Sequence, residues 1–302
     1  MTRELIIGGQ LINDASEAYV VAEIGNNHGG SLDTCKAMIL AAHDCGASAV
    51  KLQKRDLVTL YTEEELAAPY NSEHAFGPTY GAHRAALEFD PDQYRELQRY
   101  AGGIGIALFA TAFDRPSLAV LTDLGMPAIK IGSGQATDLP LIQMAVRTGI
   151  PVVVSTGGLT LSGVMDVVQH LSADGVPQGA ILQCTSTYPC EAEDLQLRVI
   201  ETLRWNFPRI VVGISDHYPK PNLAVAAYAL GARIIEKHFT LNRAWKGTDH
   251  AFSLEPDGLR TLVNHLRETR LALGDGVKRA LDREGPALRK MGRRLYGLTP
   301  PL

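Results

Sequence analysis

The chain has 302 residues, 45% of them hydrophobic and 21% charged, with a formal net charge of −4. That balance is ordinary for a globular protein with a large core and gives no electrostatic reason to expect a nucleic-acid partner. No apolar run of about 18 residues is present to cross a membrane; the first residues, Met1 to Ile7, lack a signal-peptide pattern, and four cysteines without a CxxC pair point to a reduced, cytoplasmic setting.

Residues 1–18 carry two short apolar runs around Gly8-Gly9, which predicts a β-hairpin ahead of the main fold. A regular alternation follows. Strand-like runs fall at Tyr19–Ile24, Ala47–Gln53, Ile104–Ala110, Pro127–Ile131, Pro151–Ser155, Ala180–Cys184, Arg209–Ile214 and Ala232–Lys237. Amphipathic stretches of helical period lie between them, including Asp33–Cys45, Asp90–Tyr100, Pro116–Leu124, Leu139–Thr148 and Ser162–Leu171. Cys45-Gly46, Leu124-Gly125, Thr148-Gly149 and Leu230-Gly231 read as helix C-caps that turn the chain back into the sheet. About eight such units in series, with near-continuous apolar strands, predict a closed parallel (β/α)8 barrel, a TIM barrel of the α/β class, over residues 19–273. An open doubly wound sheet is the alternative, and its dinucleotide-binding form needs a glycine fingerprint after the first strand that this chain does not carry. Glu255–Leu273 reads as the last barrel helix. Residues 274–302 form a basic tail with Lys278, Arg279, Arg283, Arg289, Lys290, Arg293 and Arg294, ending near Pro300-Pro301.

In such a barrel the active site is built at the carboxyl ends of the strands. Here nearly every end carries polar or ionisable groups where an apolar strand stops: Glu23 to His28, Lys51 to Gln53, Thr111 to Asp114, Lys130 to Gln135, Ser155 to Gly158, Gln183 to Tyr188, Ser215 to His217, and Glu236 to Thr240. Charged groups are rarely buried without a partner or a role, and a whole ring of them points to a site. One theme is anion binding. Lys51 and Lys130 are cations, Thr111, Ser133, Ser155 and Ser215 supply hydroxyls, and Gly132, Gly134, Gly157 and Gly158 allow close backbone approach. Any one of these serines or glycines is more plainly a helix cap or a turn residue, but the set with two lysines favours phosphate. The other theme is metal binding, since His217 and His238 end adjacent strands and imidazole suits Mn2+, Zn2+ or Fe2+.

Taken in order, Ala22 to Gly30, Lys51-Leu52-Gln53, Lys130 to Gly134, Ser155-Thr156-Gly157, Tyr188-Pro189, Gly213 to His217 and Glu236 to Thr240 make the chain similar to the sialic acid synthase (N-acetylneuraminate synthase) family from about Tyr19 to Pro256. The resemblance implies a transferase that condenses phosphoenolpyruvate with an open-chain amino-sugar aldehyde, giving a sialic-acid-like nonulosonic acid and phosphate. It also implies a divalent metal, Mn2+ first with Mg2+ or Co2+ as alternatives, and a homodimer. Lys51, Thr111, Lys130, Ser133, Ser155 and Ser215 match family positions that hold phosphoenolpyruvate, with Lys51 also counted among the catalytic positions. Glu23 matches an acidic residue facing the reacting centre, suited to proton transfer or to holding substrate hydroxyls. Gln53, Asn71 and Tyr188 match positions near the substrates, Asp249 an acidic position on the sugar, and His217 and His238 the metal ligands.

Three departures stand out. Gln135 occupies a catalytic position where relatives usually carry a carboxylate, and an amide cannot exchange a proton near neutral pH. Ser186 stands in the anion site where relatives often have asparagine, and the resemblance covers the barrel without the family's C-terminal antifreeze-like domain. The competing readings are a synthase acting on another aldehyde, a lysine Schiff-base aldolase using Lys51, Lys130 or Lys237, and a phosphate-binding homologue whose turnover is lost through Gln135.

Overall fold

In the computed structural model, residues 3–173, 176, 177 and 179–291 are described. Strands β1 (Glu4–Ile7) and β2 (Gln10–Asn13) pair antiparallel as the hairpin read from Gly8-Gly9. The eight barrel strands are β3 (Tyr19–Gly25), β4 (Ala49–Lys54), β5 (Ala107–Ala112), β6 (Ile129–Ile131), β7 (Val152–Ser155), β10 (Gly179–Cys184), β11 (Val211–Asp216) and β12 (Ile234–His238). Between β7 and β10 runs a short antiparallel ribbon of β8 (Ser172–Ala173) and β9 (Val176–Pro177). The barrel is closed, its strands pair in parallel in chain order, and β12 returns to β3. The sequence-predicted strands all correspond to these, although Ile104 belongs to the preceding helix and Gly105, at φ 85°, turns the chain before β5 begins.

Each barrel strand is followed by a helix that packs on its outer face. Several start at side-chain caps: Ser31 before Leu32–Asp44, Asp114 before Arg115–Asp123, Asp138 before Leu139–Arg147 and Thr160 before Leu161–His170. Pro91–Ile104 opens with a capping box between Asp90 and Gln93. At the other ends, the four predicted cap glycines (46, 125, 149 and 231) all lie at positive φ. Two helices lie outside the periodic stretches read from the sequence, Val199–Asn206 and Asn222–Ala229; the second, with Leu, Val, Ala and Tyr all round it, has no polar stripe to reveal it.

Period-2 alternation divides the strands into an outer face under the helices and an inner face filling the barrel. Tyr19, Val21, Ala49, Phe109, Val153, Leu182, Val211 and Ile234 form the lower inner layer. Leu5, Ile7 and Ile12 of the hairpin join that cluster, so the hairpin plugs the amino end of the barrel, with Ile6 and Leu11 turned to solvent. Fully burying Ile7 and Ile12 contributes roughly 2–3 kcal/mol each. Further along the same inner faces the apolar layer gives way to Glu23, Lys51, Thr111, Lys130, Ser155, Ser215 and Glu236, all buried. The plug leaves the carboxyl mouth as the place where the chemistry stands.

His28, just past β3, belongs to the scaffold. Its ring stacks on Phe89 with centroids 4.2 Å apart, and its Nδ1 accepts from the Gly30 N–H at 3.0 Å. Burial holds its pKa at about 3, so the folded protein keeps it neutral. An unfolded histidine titrates near 6.5, so the unfolded chain binds the extra proton first; this stability is complete above about pH 6.5 and drains away as pH falls toward 3. Urea titrations at pH 7 and pH 4.5 are expected to show the wild type losing on the order of 2 kcal/mol more than a His28→Gln variant. Equal losses would mean that His28 does not carry this acid sensitivity.

Candidate active site at the carboxyl mouth

Opposite charges meet across the barrel in the buried polar layer. Glu23 and Lys51 are register partners on β3 and β4, with Glu23 Oε2 and Lys51 Nζ 2.8 Å apart. Lys51 also donates to Thr111 Oγ1 at 2.8 Å, and Gln53 Nε2 donates to Glu23 Oε1 at 2.8 Å. From the far side, Glu236 Oε1 accepts from Ser215 Oγ at 3.1 Å and Lys130 Nζ at 3.3 Å, and lies 3.8 Å from Lys51 Nζ. The two carboxylates sit in different fields. Burial and the nearby Glu236 raise the pKa of Glu23 against the pull of Lys51 and Gln53, so it binds a proton more readily than an ordinary glutamate. Burial also opposes ionisation of Glu236, but Lys130, Lys51 and the Ser215 hydroxyl outweigh it and hold its pKa at about 2. Burial in turn lowers the pKa of Lys130 against the pull of Glu236.

Glu236 is the hub of this layer, and the strand-end reading gives it no role. The signal is a carboxylate in the apolar run Ile234-Ile235-Glu236, in phase with His238 and out of phase with Lys237. Lys237 ends a strand as predicted but points away from the mouth. Its ammonium pairs with Asp216 Oδ2 at 3.0 Å and caps backbone carbonyls of the loop after β11, while Asp216 Oδ1 accepts from the Tyr218 N–H at 2.8 Å. Asp216 and Lys237 brace that loop.

Beside the charged layer lies a pocket of hydroxyls. The Gly157 N–H donates to Ser133 Oγ at 3.0 Å, and a Cβ on Gly157 would lie 2.3 Å from Ser186 Oγ and 2.8 Å from Ser133 Oγ. Only glycine lets the backbone after β7 come so close to both hydroxyls. Ser155 Oγ and Gln135 Oε1 are buried without a hydrogen-bond partner among the described residues, and the Gln135 oxygen lies 3.2 Å from where a Gly132 Cβ would stand. Such orphaned atoms cost about 1–3 kcal/mol each, a cost that a bound water, ion or ligand group at this mouth would relieve.

Across the mouth, the His217 and His238 rings are 5.4 Å apart. His217 Nδ1 lies 2.9 Å from the Thr185 carbonyl oxygen, which can only accept, so Nδ1 carries the proton and Nε2 offers a lone pair. His238 Nδ1 is buried without a hydrogen-bond partner among the described residues, 3.8 Å from Asp249 Oδ2. Burial, helped by the neighbouring His238, lowers the His217 pKa to about 4, and burial, with Lys51 and Lys237 acting against Asp249 and Glu236, lowers that of His238 to about 4, so both rings are neutral near pH 7. The Tyr188 ring lies tilted against His217 with centroids 4.1 Å apart, and Phe252 lies 4.9 Å from His238, walling the pair. No third His, Cys, Asp or Glu completes a metal-binding group among the described residues.

Ser186 and Tyr188 are exposed on the loop after β10, at the rim. Asn71 is exposed in the excursion between β4 and Pro91–Ile104 and among the described residues makes no hydrogen bond to the buried polar layer; that excursion meets the loop after β12 where the Gly247 N–H donates to His74 Nδ1 at 3.3 Å and Lys246 lies over Phe76. Among the described residues no helix is long and apolar enough to cross a membrane.

A closed (β/α)8 barrel with a buried lysine–carboxylate layer and paired imidazoles at its carboxyl mouth has the layout of a barrel enzyme's active site. The chain belongs to the NeuB family, whose match covers residues 38–278. It is 40% identical to human N-acetylneuraminate-9-phosphate synthase over 94% of this chain and 79% of that one. It is 34% identical to N,N'-diacetyllegionaminic acid synthase of Legionella pneumophila, over 94% and 81% of the two chains. The crystal structure of N-acetylneuraminic acid synthetase from Leptospira borgpetersenii, in complex with citrate, superposes with a TM-score of 0.81 at 30% identity, covering 97% of each chain.

Proposed function

We propose that the chain joins C3 of phosphoenolpyruvate to the aldehyde carbon of an open-chain amino sugar, water adding at C2 and phosphate leaving by C–O cleavage to give a nonulosonic acid. One observation carries this reading: Lys51 and Lys130 stand buried between Glu23 and Glu236, facing hydroxyls that include the unpartnered Ser155. Lys51, Lys130, Thr111, Ser133, Ser155, Ser186 and Ser215 hold the carboxylate and phosphate of phosphoenolpyruvate. Glu236 stays ionised and keeps the two ammonium groups aimed inward, while Glu23, poised to take a proton, serves proton transfer at the reacting carbons. Gln53, Asp249, Tyr188 and, from the rim, Asn71 bound the acceptor.

His217 and His238 fit a divalent cation, because both are neutral, one lone pair is set by Thr185, and His238 Nδ1 has no protein partner. Bound there, Mn2+ (or Mg2+ or Co2+) supplies Lewis-acid polarisation of the acceptor's carbonyl oxygen. The two imidazoles favour Mn2+ over Mg2+. A homodimer working in the cytoplasm completes the reading.

The relatives' names span N-acetylneuraminate 9-phosphate and di-N-acetyllegionaminate as products. A three-carbon extension renumbers C6 of the acceptor as C9, so N-acetylmannosamine, its 6-phosphate and the diamino hexoses form the panel to test. With Mn2+ and phosphoenolpyruvate, one panel member is expected to trigger phosphate release that a chelator stops. No release from any aldose would sink the reading. The Schiff-base alternative loses Lys237, which faces the helix layer, and Lys51 and Lys130 are engaged with carboxylates.

Gln135 accepts hydrogen bonds at the mouth but moves no proton. Gln135→Glu is expected to raise kcat about tenfold with little change in the phosphoenolpyruvate KM, as general acid–base help returns. A fall in kcat would show that the amide serves this chain's own acceptor.

A further inference from the structure

Arg55 follows β4 immediately and is only 6% exposed, although its guanidinium is always charged. Three contacts hold it. Its guanidinium lies over the Phe113 ring at 3.8 Å, Nη1 is 3.4 Å from Glu88 Oε1, and Nη2 donates to Gln53 Oε1. Glu88 is fixed in turn by the Arg55 backbone N–H at 3.1 Å and by Lys54 at 3.5 Å.

We propose that Arg55 is a positioning residue for the acceptor side of the site, setting which way round the Gln53 amide sits and so what Gln53 offers to the sugar. A guanidinium has donors and no acceptor, so the Gln53 atom facing it must be the carbonyl oxygen. The NH2 group is then turned to Glu23, where Nε2 donates to Oε1 at 2.8 Å. Turning the amide over would set its NH2 against the guanidinium and its oxygen against the carboxylate, two repulsions in a buried place. Asn26 Nδ2, 3.5 Å from the same Gln53 oxygen, favours the same orientation.

Gly25 shows where this matters. At φ 54° it leaves open a point that a Cβ would fill 3.1 Å from Gln53 Nε2, 3.2 Å from Glu23 Oε1 and 3.7 Å from Asp249 Oδ2. Two carboxylates and one amide nitrogen therefore converge on one small space. With the amide locked, Gln53 enters it as a donor only; its remaining N–H selects an acceptor oxygen lone pair, while Glu23 and Asp249 take hydroxyl protons. Arg55 touches no substrate in this scheme and acts through Gln53.

The proposal rests on the synthase reading for its kinetic test. Arg55→Met keeps the packing on Phe113 and leaves Glu88 with Lys54 and the backbone. It is expected to raise the KM for the sugar about tenfold while the phosphoenolpyruvate KM stays within twofold; Arg55→Lys, which keeps the charge without the fork, should fall between. In a Gln53→Leu background, Arg55→Met should change the sugar KM less than twofold, because nothing remains to orient. Effects that multiply in the double variant, or KM values for both substrates rising together, would overturn the proposal. A measurement independent of turnover stands beside it: the Gln53 side-chain NH2 signal, identified by its loss in Gln53→Leu, should exchange slowly with solvent in the wild type and rapidly in Arg55→Met. Unchanged exchange overturns the role of Arg55 even if the chain proves to act on no aldose, whereas absent phosphate release with altered exchange counts against the reaction alone.

Discussion

Lys51→Met is expected to lower kcat/KM for phosphoenolpyruvate by at least about 10³-fold, which corresponds to about 4 kcal/mol of lost transition-state stabilisation. Among the described residues Lys51 is the only cation within 4 Å of Glu23, and it also reaches Thr111 and Glu236. Methionine keeps most of the volume but leaves Glu23 and Glu236 facing one another, with only Lys130 left to offset them. Breaking a buried pair from one side typically costs about 3–5 kcal/mol, so thermal unfolding should shift downward as well. Calorimetric titration with phosphoenolpyruvate separates the effects: a folded variant should bind it far more weakly than the wild type. Activity retained within tenfold would place the anion elsewhere in the barrel.

Glu236→Gln should produce the largest loss of stability of any isosteric change at the mouth. Glu236 holds Lys130 at 3.3 Å and Ser215 at 3.1 Å, and its carboxyl is kept ionised well below the usual range. The amide preserves shape but leaves Lys130, itself fully buried in the polar layer, without a carboxylate. A loss of about 3 kcal/mol at pH 7 is expected, which lowers Tm by several degrees, less than the roughly 6–12 °C it would cost a smaller domain of about 150–250 residues. Turnover should fall about 10²-fold, since Lys130 is no longer aimed at the ligand. A variant as stable as the wild type would mean that Lys130 finds another partner and that Glu236 is no hub.

Much of the architecture was legible because it rests on local signals. Apolar runs, capping residues and the glycines that end helices mark the barrel's repeating units, and the inner face follows from counting in twos. The buried ends of those strands held the lysines, serines and histidines that the sequence pattern singled out. Glu236 escaped because its meaning depends on Lys130, 106 residues away, and on which of two adjacent charged residues faces inward. Lys237 looked equivalent to Lys51 and Lys130 for the same reason, yet it stands one residue out of phase and braces a loop instead. Arg55 carries no motif; Phe113 and Glu88 reach it only once β4, β5 and the excursion after β4 are assembled. That excursion, with short helices Leu57–Leu60, Glu63–Ala67 and Tyr80–Ala85, has no long period to read, which is also why Asn71 could be placed only by resemblance. Of the basic tail, Arg293, Arg294 and Pro300-Pro301 lie outside the described residues, and positions 274–291 are largely exposed.

The most direct measurement follows both halves of phosphoenolpyruvate at once. With [3-13C]phosphoenolpyruvate, Mn2+ and N-acetylmannosamine 6-phosphate or another member of the acceptor panel, NMR should show the labelled vinyl carbon becoming a product methylene. One equivalent of inorganic phosphate should appear for each carbon transferred, and neither change should occur without the sugar. Phosphate released without the sugar, or a labelled carbon that stays vinylic while the protein binds phosphoenolpyruvate tightly, would contradict carbon–carbon bond formation at this mouth.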